Sequence, residues 1–175
     1  MFKATVFDLQ PDIIGVTESW VTDKIFDSEL HLDNYRTFRC DRQTGNRGGG
    51  VLLYIKDDLN PTEFHVDTEY DEQVWCYIGD LLVGVCYRSS NLEIVGQDNE
   101  TNLMKMLHEV CNKHVLIMGD FNYPAIDWST YDILLIHQAA LEVTNLCKPL
   151  KIVFTPSTYT VSNERLGNIR PDFVY

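Results

Sequence analysis

LIMGDFNYP, residues 116–124, opens with three apolar side chains, passes Gly119, and presents an acid, an aromatic and an amide ahead of Tyr123 and Pro124. Apolar residues without polar alternation mark a strand covered on both faces, so the stretch reads as the end of a buried strand. If that strand continues, Asp120 and Asn122 point the same way. A carboxylate there can take a proton from water, and an amide can donate to a phosphate oxygen or orient a nucleophile. The same residue types after a strand also build an Asx turn, and the stretch alone leaves both readings open. A calcium loop is excluded, because no Gly stands at the sixth position from Asp120 and Tyr131 occupies the twelfth.

Working outward, "DIIGVTESW" is a second buried strand that ends on an acid, Glu18, either a solvated strand end or a metal ligand. "VLLYIK" follows the glycine cluster "GNRGGG", which reads as a tight turn, since no GK[ST] follows to make a phosphate loop. "QVWCYI" and "LLVGVCYR" flank "GD" as a hairpin, and the second run ends on Tyr87 and Arg88. "FKATVFDLQ" predicts a short helix with Phe2, Val6 and Leu9 on one side. The spacing of Leu103, Met106, Leu107 and Val110 predicts a longer one, capped by Thr101 or Asn102. "DILLIHQAALEVTNLC" predicts another helix, while "KIVFT" and "RPDFVY" predict late strands, the last carrying Asp172. Strands alternating with helices give an α/β protein whose helices cover sheet faces. No linker or repeat divides the chain, so residues 1–175 are expected to form one domain.

Composition narrows the function classes. Hydrophobic residues at 45% and aromatics at 11% belong to a globular chain. No apolar run approaches the ~20 residues needed to span a bilayer, and "MFKATVFDLQPD" lacks the pattern of a signal peptide. Five scattered cysteines without a CxxC pair suit free thiols in a reducing compartment. These features predict an intracellular protein, nuclear or cytoplasmic rather than secreted. With 14 basic against 26 acidic residues the net charge is −12, which opposes unspecific attraction to a polyanion. One segment differs: "YRTFRCDRQTGNR" gathers Arg36, Arg39, Arg42 and Arg47. It is either a solvated, salt-bridged loop or a phosphate-contacting loop with Arg47 as a substrate-binding candidate. The histidines are isolated from the acids, and no GxSxG supports serine hydrolysis.

Taken in order, "PDIIGVTESW", "RGGGVLLYIK", "LLVGVCYRSS", "VLIMGDFNYPAIDW" and "RPDFVY" resemble the endonuclease/exonuclease/phosphatase superfamily. They are most similar to the apurinic-type endonuclease domains of LINE-type (non-LTR) retrotransposons. The resemblance implies a four-layered α/β sandwich and phosphodiester cleavage dependent on Mg²⁺, with Mn²⁺ as a substitute. By position it implies Glu18 as the metal ligand and Tyr87 as a phosphate-side tyrosine with Arg88 as its substrate-binding neighbour. Asp120 would activate or position water, Asn122 would steady it, and Asp172 would orient a catalytic histidine. The implied substrate is DNA, and the implied partner is a downstream reverse transcriptase in a longer polyprotein.

Members of that superfamily begin with an Asn-bearing strand and end with a Ser-Asp-His strand, and this sequence holds neither. The expectation is therefore a partial domain with weak or no nuclease turnover. Two alternatives accompany it: a non-catalytic retrotransposon-derived remnant, and a phosphoesterase acting on a lipid or a small phosphate.

Overall fold

A computed structural model of the chain describes residues 2–42, 49–89, 92–122, 126–127, 132–133, 158–161 and 172–173, with side chains described in 2–42, 49–89 and 100–122. In chain order the elements are α1 (Phe2–Leu9), β1 (Ile13–Thr17), α2 (Asp27–Leu30), β2 (Tyr35–Cys40), β3 (Val51–Lys56) and a 3₁₀ turn at Asp57–Leu59. Then follow β4 (Thr62–Phe64), β5 (Gln73–Ile78), β6 (Leu81–Tyr87), α3 (Leu92–Val110) and β7 (Val115–Asp120). The short strands β8 (Ile126–Asp127), β9 (Asp132–Ile133), β10 (Thr158–Val161) and β11 (Asp172–Phe173) complete the set.

Two sheets form the centre. One runs β11-β10-β1-β3-β2 and is antiparallel throughout; the other runs β4-β5-β6-β7. The strands β6 and β7 pair in parallel, which requires a crossover, and α3 supplies it. The sheets face each other across a shared core in which Ile13, Phe38, Leu53 and Ile55 meet Val74, Val83, Val85 and Met118. On the outer side of the second sheet, Leu103, Met106, Leu107 and Val110 of α3 pack over Trp75, Leu82, Cys86 and Ile117. Outside the first sheet, Val6 of α1 packs with Ile14, Leu52, Tyr54 and Leu32. Helix, sheet, sheet, helix: the four-layered α/β sandwich is present.

Glycines set how closely the layers approach. A Cβ on Gly15 would stand 2.9 Å from Val85 Cγ2 of the facing sheet, so a glycine in the middle of β1 lets the sheets close. This explains why "DIIGVT" interrupts its apolar run.

Several expectations change here. The helix α3 begins at Leu92, well before Thr101 and Asn102, which lie inside it rather than capping it. Gly96 and the polar run after it have poor helix propensity and hide the early turns in the sequence. Asp132 and Ile133, expected to open a helix, form β9 and pair antiparallel with Ile126–Asp127. Short apolar runs fit either period, and pairing decides between them. Residues 134–147 of that expected helix, and the expected strand at 151–155, lie outside the described residues. Of the apolar side of α1 only Val6 is buried, and Phe2 and Leu9 remain exposed. Arg36 and Arg39 stand on a strand rather than a loop. Arg39 is held by Asp41, by Asp27 at 2.8 Å, and by the carbonyls of Ile25 and Thr22. Cys40, Cys76, Cys86 and Cys111 are free thiols. No helix among the described residues is long and apolar enough to cross a membrane.

Candidate active site

Strands from both sheets deliver acids and a phenol to one place. The parallel register sets Tyr87 and Asp120 opposite each other as the last residues of β6 and β7. Glu18 follows β1 of the other sheet, and the Tyr87 hydroxyl donates to Glu18 Oε1 at 2.6 Å. The ends of three strands thus meet where the two sheets come together, the kind of strand-end crevice in which α/β proteins bind ligands.

Asp120 and Asn122 do not project from a continuing strand. The strand stops at Asp120, Asn122 turns left-handed at φ 46, and its backbone N–H donates to Asp120 Oδ1 at 3.0 Å. The two sequence readings coincide, since an Asx turn holds the carboxylate at the cluster. Arg88 secures this turn. Its backbone N–H donates to the Asp120 carbonyl at 2.8 Å, and Asn122 Nδ2 donates to the Arg88 carbonyl at 2.7 Å. Arg88 is only 7% exposed; its guanidinium donates to the Asn122 carbonyl at 2.9 Å and to Glu100 Oε2 of α3 at 3.0 Å. Arg88, expected beside substrate, is therefore placed inside the protein as a clamp on the Asp120–Asn122 turn. Arg47 lies outside the described residues. Asp172 is placed on β11 opposite Thr160, at the sheet edge two strands from β1.

Residues that the sequence did not single out hold Glu18 in position. Glu72 Oε2 accepts the Gly50 N–H at 2.7 Å, and the Glu72 carbonyl accepts the Tyr87 N–H at 2.9 Å. Gly50 and Gly49 in turn accept, through their carbonyls, the N–H groups of Ser19 and Trp20 at 3.1 and 2.9 Å. A continuous frame therefore runs from Tyr87 through Glu72 and the glycines to Ser19, and the Tyr87–Glu18 bond closes it. Both glycines have positive φ, 86° and 79°, and a Cβ at Gly49 would sit 2.5 Å from Arg42 Cδ. That is the part of "GNRGGG" on which the site depends. Arg42 stands with Nε 3.7 Å from Glu72 Oε1, in a nearly buried pair. The basic cluster had pointed toward Arg42; nothing in the acid-rich "EYDEQV" distinguished Glu72.

Electrostatics follow from this crowding. Burial, then the hydrogen bond and charge of Glu18, then the charge of Asp120, push the Tyr87 phenol well above its ordinary pKa, with Arg42 opposing. The phenol therefore stays a proton donor. Burial also raises the Asp120 carboxyl, Glu18 adds to the rise, and the Asn122 N–H partly offsets it. Burial likewise raises Glu72. Among the described residues no group of three metal-binding side chains assembles. Glu18 is exposed and Asp120 half-buried, so the donors are two carboxylates open to solvent. Such a set fits hydrated Mg²⁺, which keeps several waters and uses one or two carboxylates plus substrate phosphate. It does not fit a closed zinc site.

The profile of the Endonuclease/Exonuclease/phosphatase family matches residues 2–171. The chain belongs to this family. Among solved structures it is similar to an AP endonuclease from Archaeoglobus fulgidus, with TM-score 0.56 and 16% identity over 86% of this chain and 64% of that one. It also aligns with truncated Caenorhabditis elegans TDP2, at TM-score 0.35 and 12% identity over 63% of this chain and 45% of that one. The chain thus spans less than two thirds of the length of either structure. No curated protein matches it. The likeness to the archaeal enzyme is one of fold, and the family match agrees with the four layers.

Proposed function

We propose that the chain is a metal-dependent phosphodiester hydrolase that nicks DNA, of the kind encoded by LINE-type retrotransposons, and that it works inside the cell beside a reverse transcriptase in a longer polyprotein. The observation that carries the hydrolase reading is the Tyr87–Glu18 hydrogen bond with Asp120 registered beside Tyr87. One carboxylate, one phenol donor and one carboxyl of raised proton affinity converge there from two sheets. Family enzymes are generally dependent on a divalent metal, and the likeness in fold to an AP endonuclease supports DNA as the substrate class. The order and spacing of the sequence motifs support the retrotransposon assignment.

Each residue then has a chemical task. Glu18 would hold the cation, which supplies Lewis-acid stabilisation of charge on the phosphoryl oxygens. Asp120, raised by burial, takes the proton of the attacking water as the new P–O bond forms in line with the bond that breaks. The Tyr87 hydroxyl, held protonated, turns its one proton from Glu18 to the phosphoryl oxygen as negative charge grows there. Asn122 and Arg88 keep the Asp120 carboxylate aimed. His31, His65 and His114 pair with surface acids and His108 is exposed on α3, so among the described residues no histidine is seen to assist.

A supercoiled-plasmid nicking assay tests the reading. Conversion to the open-circular form in Mg²⁺, abolished by EDTA and by Asp120→Ala, is expected. Nicking that persists in EDTA, or that Asp120→Ala leaves intact, would sink it.

A further inference from the structure

Trp20, two residues past Glu18, carries two unfavourable features at once. It is 60% exposed, and its backbone is left-handed at φ 55, uncommon for so bulky a residue. Glu18 shares that conformation at φ 52. The loop is nevertheless fixed, because the Trp20 N–H donates to Gly49 and the Ser19 N–H to Gly50. Strain persists at functional sites when surrounding structure over-determines it, and here the surrounding frame is the one that positions Glu18. The indole is thus a large aromatic surface presented to solvent from a fixed backbone, two residues past the candidate metal-binding carboxylate.

Charge indicates what such a surface would contribute. The chain has a net charge of −12, so counterion release from phosphates can supply little of its affinity for a nucleic acid. The segment leaving Trp20 enters the wall of an open cleft of about 760 Å³ that includes Thr22, Lys24, Arg39, Asp41 and Arg42. Its cations are largely balanced, with Arg39 on Asp27 and Asp41 and Arg42 beside Glu72. Affinity must therefore come from another source, and base stacking on an aromatic ring is independent of sequence and of net charge.

We infer that Trp20 is a stacking platform for an unpaired base of the substrate strand, set beside Glu18. This rests on the DNA-hydrolase reading and deepens it, since a base inside an intact duplex offers no free face to the indole. The site should then prefer DNA with a bulged or frayed nucleotide over the same sequence fully paired.

The test is binding of two labelled duplexes in EDTA, identical except for one bulged nucleotide, followed by fluorescence anisotropy. Wild type is expected to prefer the bulged duplex by roughly tenfold to a hundredfold, the range of one stacked base. Trp20→Phe should keep most of that preference and Trp20→Ala should erase it, at low and at raised salt alike, with the melting temperature unchanged. A preference that survives Trp20→Ala, a wild type with no preference, or a wild type that binds neither duplex would each overturn the inference. Plasmid nicking in Mg²⁺, scored separately, shows whether the hydrolase reading falls with it.

Discussion

The Tyr87 hydroxyl donates to Glu18 Oε1 at 2.6 Å across 69 residues of chain, and it joins the carboxyl end of a strand in one sheet to the carboxyl end of a strand in the other. Because burial and neighbouring carboxylates raise the phenol's pKa, this proton stays in place through neutral and mildly alkaline pH. Replacing Tyr87 with Phe keeps the buried ring and removes only the donor. The expected outcome is a melting temperature little changed, since the exposed Glu18 carboxylate returns to water. Nicking should fall about 10²–10³-fold, as for other donors aimed at developing charge. Plasmid assays run beside thermal melts separate the two effects, and a melt that collapses with the rate would assign Tyr87 to structure alone.

Arg88 is expected to behave in the opposite way. Its guanidinium pairs with Glu100 at 3.0 Å, with side chains 8% and 21% exposed, and also holds the Asn122 carbonyl. Removing one partner of a buried pair strands the other, at about 3 kcal/mol or more. Arg88→Ala should therefore lower the melting temperature by roughly 6–12 °C and abolish activity with it. The double variant with Glu100→Gln should recover part of the stability and none of the activity, because the turn carrying Asp120 stays unclamped. Full recovery of rate would show that the clamp is dispensable.

The glycine of "GDFN" has a steric task that differs from that of an ordinary turn glycine. Gly119 has φ 150, and a Cβ there would fall 1.8 Å from the Cys86 carbonyl oxygen on the neighbouring strand. Gly79, in the hairpin turn, has φ 60 and nothing within 4 Å of its missing Cβ. Gly79→Ala should cost only the backbone strain, about 1 kcal/mol. Gly119→Ala should leave no folded soluble protein, because the clash is with backbone and the parallel ladder cannot move aside. Expression with circular dichroism of both variants compares the two costs directly.

How far the sequence carried depended on whether a feature was local. Buried strands showed as unbroken apolar runs, and the β5–β6 hairpin showed in its Gly-Asp turn, because each is written in a few adjacent residues. Glu18, Tyr87 and Asp120 were visible as polar residues ending such runs, although their convergence rests on pairing that only the fold supplies. Glu72 was illegible for the same reason. Its role comes from the N–H of Gly50 and the proximity of Arg42, neither of which leaves a pattern in "EYDEQV". The start of α3 was missed where a glycine and polar residues outweighed the periodicity.

Metal binding should show in stability as well as in rate. The candidate donors are an exposed Glu18 and a half-buried Asp120 at strand ends, so chelation is expected to leave the fold intact. Mg²⁺ at a hundredfold excess over its Kd should stabilise the wild type by about 2.7 kcal/mol, a rise of roughly 5–11 °C in melting temperature. Glu18→Gln should lose that rise and keep the metal-free melting point, because the replaced carboxylate is solvent-exposed. A shift of equal size in the variant would place the cation elsewhere.

Asp120 gives a pH signature whose sign follows from its environment. Burial and the Glu18 charge raise the carboxyl in the folded state above its unfolded value. Between the two pKa values the folded chain holds more protons than the unfolded chain, so stability falls as pH rises through that window. Below the unfolded carboxylate pKa the proton is bound in both states, and the stability tied to it is fully present. Asp120→Asn mimics the protonated form and can keep an oxygen for the Asn122 N–H. In EDTA it should therefore melt above the wild type at neutral pH, by a few degrees, and the gap should close as pH drops below the usual carboxylate range. The same variant should not nick DNA, since an amide cannot take a proton from water. A wild type that gains stability as pH rises through the window, or an Asn variant that melts lower at neutral pH, would refute the elevated pKa and with it the assignment of Asp120 as the base.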